Sequence, residues 1–145
     1  MLSIVLFEGD HIQAGWITNV LLEAFPGIDI RTARTEYSFY HWLNDVARGG
    51  VPNLVILAVQ GRWADPGESL ELKPSEDAIE GGFFQAGIRC AQRLLQVAPK
   101  VPIIFYTTLG HDRLPASIGD LGLLVSKGGG PGPLLEAVRG THALE

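Results

Sequence analysis

Few residues of this chain have the types and spacings that chemistry requires. The four histidines, at 11, 41, 111 and 142, show no His-x-x-x-His spacing and do not read as a zinc site. The single cysteine, Cys90, excludes an internal disulfide and argues against a cysteine-based metal site. It lies in "GIRCAQRLL" and reads as a small buried helix residue. No Gly-x-Ser-x-Gly run or Cys/His pair marks a nucleophile. "GGGPG" at 128–132 precedes a helical pattern, and helix N-termini can bind phosphate. The lysine stands before the glycines, however, and the Walker order is absent, so a turn is the expectation. What remains is a set of carboxylates and one aromatic. Glu8 and Asp10 flank Gly9 after the first apolar run. Asp65, Glu68, Glu71, Glu76, Asp77 and Glu80 gather in the stretch 60–82, behind Trp63.

The elements that must position these residues alternate between strand-like and helix-like runs. Residues 2–7 form a first strand, and Asp10 with Gln13 makes a capping-box pattern for a helix. Ile12, Trp16, Ile17, Val20, Leu21 and Ala24 repeat at helical spacing until Pro26-Gly27. Residues 28–33 alternate as a second strand. Ser38 is the expected cap of the next helix, which carries Phe39, Leu43, Val46 and Ala47 on one face and stops at Gly49-Gly50. Residues 53–59 make a third strand, apolar enough to be covered on both faces. A helix follows over 83–97, then strands at 101–107 and 122–126 and a last helix with Pro133 in its first turn. Between the last two strands, "LGHDRLPASIGD" is short and broken by Pro115, so it predicts a turn or two of helix or none.

This order implies a parallel sheet with helices on both faces, in one domain over 1–143. Leu144-Glu145 reads as a cloning scar. The acidic connection 60–82 is long for a compact domain, and such loops are often functional. Its acids read most simply as a solvated face. Trp63 reads as an apolar anchor, as a partner contact, or as a lid over Ala58, because the connection leaves strand three beside that residue. At 46% hydrophobic and 19% charged, the chain should be globular. The formal charge of −5, with scattered basic residues, argues against direct nucleic-acid binding. No apolar run is long enough to span a membrane, and the reading is a cytoplasmic protein without cofactor.

Four segments, in the right order, resemble the receiver domain of bacterial response regulators, the CheY-like superfamily. "SIVLFEGDHIQAGWITNVL" is similar to the family's first strand and helix with an acidic pair at their junction. "VPNLVILAVQG" is similar to its third strand, "VPIIFYTT" to its fourth, and "LLVSKGGGPGPLLEAV" to its fifth strand and last helix. The resemblance covers all but the connection 60–82. It implies a flavodoxin-like α/β fold: a doubly wound five-stranded parallel sheet of order 2-1-3-4-5 in three α/β/α layers.

The resemblance also implies roles, and this chain departs from them. Glu8 matches the first acid of the pair, but Gly9 stands where the second acid, a metal ligand, is expected. Ala58 stands where the family has its phosphate-accepting aspartate. Thr107 matches the switch hydroxyl, and Lys127 the lysine, which Gly128 follows where proline is usual. The expectation is a pseudo-receiver that is not switched by aspartate phosphorylation. It would be non-enzymatic and act in two-component signalling or scaffolding through protein–protein contacts with an unidentified protein or a second copy of itself. An alternative is a small-molecule sensor using the pocket near Ala58, Glu8 and Lys127.

Overall fold

The computed structural model describes residues 2–65, 74 and 76–145. Five strands form one parallel sheet: β1 Ser3–Phe7, β2 Asp29–Ala33, β3 Leu54–Leu57, β4 Ile103–Thr107 and β5 Leu123–Ser126, in the order β2-β1-β3-β4-β5. Register brings Phe7 opposite both Ala33 and Leu57, and Thr107 opposite Ser126. The carboxyl ends of the strands therefore finish side by side.

Side chains alternate across each strand, and the three central strands are apolar at both parities. Ile4 and Leu6 of β1, Leu54 and Ile56 of β3, and Ile104 of β4 face one layer. That layer is closed by α1 (His11–Ala24) through Ile17 and Leu21 and by α6 (Gly132–Gly140) through Leu134 and Val138. Phe7, Leu57 and Phe105 face the other layer. There they meet α2 (Glu36–Ala47) through Phe39 and Trp42 and α4 (Ala86–Val97) through Cys90 and Leu94. The edge strand β2 buries only Ala33 among its five residues.

Three expectations are corrected. The cap of α2 is Thr35, whose hydroxyl accepts the amide of Ser38 at 3.0 Å, so Ser38 lies inside the first turn. Ile12 and Trp16 share the helical period of α1 but face solvent at 78% and 38% exposure; Ala14, Ile17 and Leu21 make the buried stripe. The connection 60–82 contains a helix, α3 (Glu76–Gly81), and the segment expected to be helical from 83 opens with a 3-10 turn, Gly82–Gln85. Its acids Glu68 and Glu71 lie outside the described residues. Between β4 and β5 stand a 3-10 turn at His111–Arg113 and the one-turn helix α5, Ile118–Leu121. Cys90 is fully buried in α4, and burial pushes its thiol well above the ordinary range. Among the described residues no helix is long and apolar enough to cross a membrane.

Candidate functional site

The site lies where β1, β3, β4 and β5 end, the place at which ligands collect in doubly wound sheets. A cleft of about 360 Å³ opens there, walled in part by Glu8, Gly9, Ala58, Thr107, Lys127 and Arg62. Four of these positions stand at or one residue beyond a strand end, so sheet register alone brings them together.

Glu8 and Lys127 are paired across the cleft. Lys127 Nζ donates to Glu8 Oε1 at 2.7 Å, with both side chains largely buried. The second carboxylate oxygen accepts the amide of Asp10 at 3.2 Å. Lys127 Nζ also lies 5.5 Å from the centre of the Tyr106 ring, within reach of a cation–π attraction. Thr107 is buried, and its hydroxyl accepts the amide of Leu109 at 3.1 Å.

Asp10 lines the same cleft, but its carboxylate is taken up by its own helix. Its Oδ1 accepts the amides of Ile12 and Gln13 at 2.9 and 3.1 Å, capping α1. The hydrogen bond from Gln13 is the main reason its carboxyl is held below the ordinary aspartate range; Lys127 and Arg34 lower it further.

The residue that sequence reasoning missed is Arg62. After β3 the chain runs to the start of α2, where the Arg62 and Trp63 carbonyls accept the amides of Glu36 and Tyr37 at 3.0 and 2.8 Å. These are orphan donors of a helix N-terminus, and the connection satisfies them. That path places the Arg62 guanidinium beside Gly9: a Cβ on Gly9 would lie 3.8 Å from Nη1. Arg62 is balanced by Asp65, 2.6 Å from its Nε. Gly61 permits the turn, because a Cβ there would stand 2.4 Å from the Phe7 ring.

Trp63 is partly buried against the core cluster, 5.8 Å from Tyr40 and 6.4 Å from Tyr37 between ring centres, and is not among the residues lining the cleft. Arg62 and Phe83 hold the rim instead.

Behind the rim lies a buried polar network that the sequence did not suggest. Arg89 of α4 donates through Nε and Nη2 to the two oxygens of Glu36, both at 2.7 Å. Tyr40 donates to the same carboxylate, and Arg89 Nη2 also reaches the Gly82 carbonyl at 2.7 Å. Glu36 raises the Arg89 guanidinium further, and burial pushes the Tyr40 phenol up, so the cation and the phenol proton are both held. The network fastens α2 to α4 and to the turn that carries Phe83.

The divalent metal that the resemblance implies does not fit these residues. Magnesium needs several oxygen ligands. Here Gly9 and Ala58 offer none from their side chains, Glu8 is engaged by Lys127, and Asp10 is engaged by its helix. A guanidinium also stands beside Gly9. Among the described residues no group of three His, Cys, Asp or Glu side chains could hold a metal ion.

No family model matches the sequence, and no curated protein matches it significantly. Solved structures do match. The response regulator TrrA from Thermotoga maritima, solved in complex with Mg²⁺ and beryllofluoride, is 20% identical, with TM-score 0.69 over 97% of this chain and 99% of that one. A response regulator receiver domain protein from Clostridium thermocellum is 12% identical, with TM-score 0.68 over 97% and 94%. The fold is that of a receiver domain. A third match makes the same point: the N-terminal domain of a response regulator/sensory box/GGDEF protein from Carboxydothermus hydrogenoformans, at 21% identity and TM-score 0.64, covers 98% of this chain and 93% of that one. In this chain the strand-end cleft is lined in part by Gly9, Ala58 and Arg62.

Proposed function

We propose that this chain is a phosphorylation-independent pseudo-receiver, a non-enzymatic domain that acts in signal transduction or scaffolding through protein–protein contacts. The observation that carries the reading is the Arg62 guanidinium beside Gly9, next to a strand end that presents the Ala58 methyl group. A phosphoryl acceptor needs a nucleophilic oxygen and a metal to neutralise developing charge. In this cleft the first is a methyl group, and the half-exposed Arg62 guanidinium, paired with Asp65, stands beside the vacant ligand position. Lys127 is held by Glu8 rather than left free for an incoming anion.

The second reading is a small-molecule sensor. It is favoured by the cleft itself, whose volume of about 360 Å³ is within the range of ligand sites. The Lys127–Glu8 pair crossing that cleft favours the interaction module.

Titration with Mg²⁺ in a calorimeter tests the first reading at its root. The expected result is no saturable heat at millimolar metal. Submillimolar binding that is lost on substituting Glu8 would overturn it.

A further inference from the structure

The turn behind the cleft exposes more apolar surface than its length predicts. Ile79 of α3 is 70% exposed, and Phe83 and Phe84 of the following 3-10 turn are 51% and 66% exposed. The two phenyl rings meet edge to face at 5.5 Å. α3 and the turn pack on each other, and Arg89 holds the Gly82 carbonyl between them, so the three side chains stand on a braced element. Single exposed apolar residues are ordinary, but three within six positions are a docking signature.

The charge around them decides what docks. Glu76, Asp77 and Glu80 are exposed on the same helix. Residues 65–80 hold six acids and one lysine, which is the whole formal charge of −5; the rest of the chain carries ten acids and ten Lys or Arg. An anionic membrane surface or a nucleic acid would be repelled here. A second copy docking patch to patch would bring like charges together.

Resting on the interaction-module reading above, we propose that Ile79, Phe83 and Phe84 form the partner-docking surface and receive an amphipathic segment of another protein, apolar on one face and rich in Lys or Arg at its flanks. The apolar face buries against the rings while its basic flanks meet Glu76 and Glu80. Phe83 belongs to this surface and to the cleft rim at once, and its carbonyl accepts the Gly61 amide at 2.9 Å, so a docked segment lies against the mouth of the cleft.

The test uses the full chain and a synthetic helical peptide with Leu at helical spacing and Lys between, followed by amide NMR and fluorescence anisotropy. The expected result is saturable binding that shifts the amides of 76–85 and weakens with salt. Binding should also weaken about tenfold in Phe84→Ser and in the double variant Glu76→Gln/Glu80→Gln. The counterpart peptide with Glu for Lys should not bind. Unchanged affinity in both variants, shifts confined to other faces, equal binding of the acidic peptide, or no saturable binding would overturn the proposal. Phosphate uptake by the protein would sink the pseudo-receiver reading while leaving this result to stand or fall by itself.

Discussion

At the residue scale, a receiver-type cleft here holds an ion pair and a neighbouring guanidinium where the resemblance implies a metal and its ligands. Glu8 and Lys127 tolerate loss of the other unequally, because their surroundings differ. Glu8→Gln keeps an oxygen that can accept from Lys127 Nζ, and the lysine borders the open cleft. Lys127→Met leaves a carboxylate of 8% exposure with one backbone donor. We expect Glu8→Gln to cost about 1 kcal/mol and Lys127→Met up to roughly 3 kcal/mol, read from chemical-denaturation midpoints. A reversed order would contradict this asymmetry of the pair.

Asp10 gives a second residue-scale outcome. Its carboxyl is lowered in the folded chain, first by the Gln13 amide, so its ionised form stabilises the fold above the ordinary value of 3.8. That contribution is lost as pH falls through the lowered folded value. Asp10→Asn keeps a capping oxygen without the charge. Its melting temperature should therefore lie below that of the parent at neutral pH and converge with it as pH falls below 3.8 and through the lowered folded value. A gap that persists unchanged through that range would contradict the capping role. Asp10 was legible in the sequence, because a cap is local. Arg62 was not. Its place beside Gly9 follows from helix α2 needing carbonyls at its amino end, a requirement that crosses some twenty-five positions of sequence.

At the scale of elements, the strands and their order were legible because parallel central strands are apolar at both parities and edge strands are not. The helices were legible where one face is strongly buried, as in α4, and less so in α1, where Ile12 and Trp16 keep the period but face solvent. α3 was hidden because "EDAIEG" buries only Ala78. The Glu36–Arg89 pair was hidden because charged residues default to solvent, and only packing of α2 on α4 shows that both are inside. Arg89→Met should leave Glu36 buried with the Tyr40 hydroxyl alone and cost roughly 3–5 kcal/mol. Glu36→Gln/Arg89→Met should recover a large part of that loss, since no buried charge remains. A double variant as unstable as the sum of its singles would show that the two side chains act independently. A similar constraint governs Gly87, where a Cβ would stand 1.8 Å from the Ala58 carbonyl. Glycine there lets α4 close on the end of β3.

At the scale of the whole molecule, the sheet delivers four strand ends to one cleft, and the connection 60–82 delivers what those ends lack. It brings a cation to the cleft through Arg62, an anchor against α2 through Trp63, and an exposed aromatic turn beside the rim. Residues 65–80 of that connection carry a net formal charge of −5, equal to that of the whole chain. The architecture thus keeps a receiver frame and sets Arg62 and Phe83 beside its strand-end cleft.

The central claim is that this frame is not switched by phosphorylation. Incubation with acetyl phosphate and Mg²⁺, followed at once by intact-protein mass spectrometry, tests it most directly. The account predicts an unchanged mass, with or without metal. A phosphate adduct on an aspartate or glutamate of the cleft, with its loss in alkali, would contradict it.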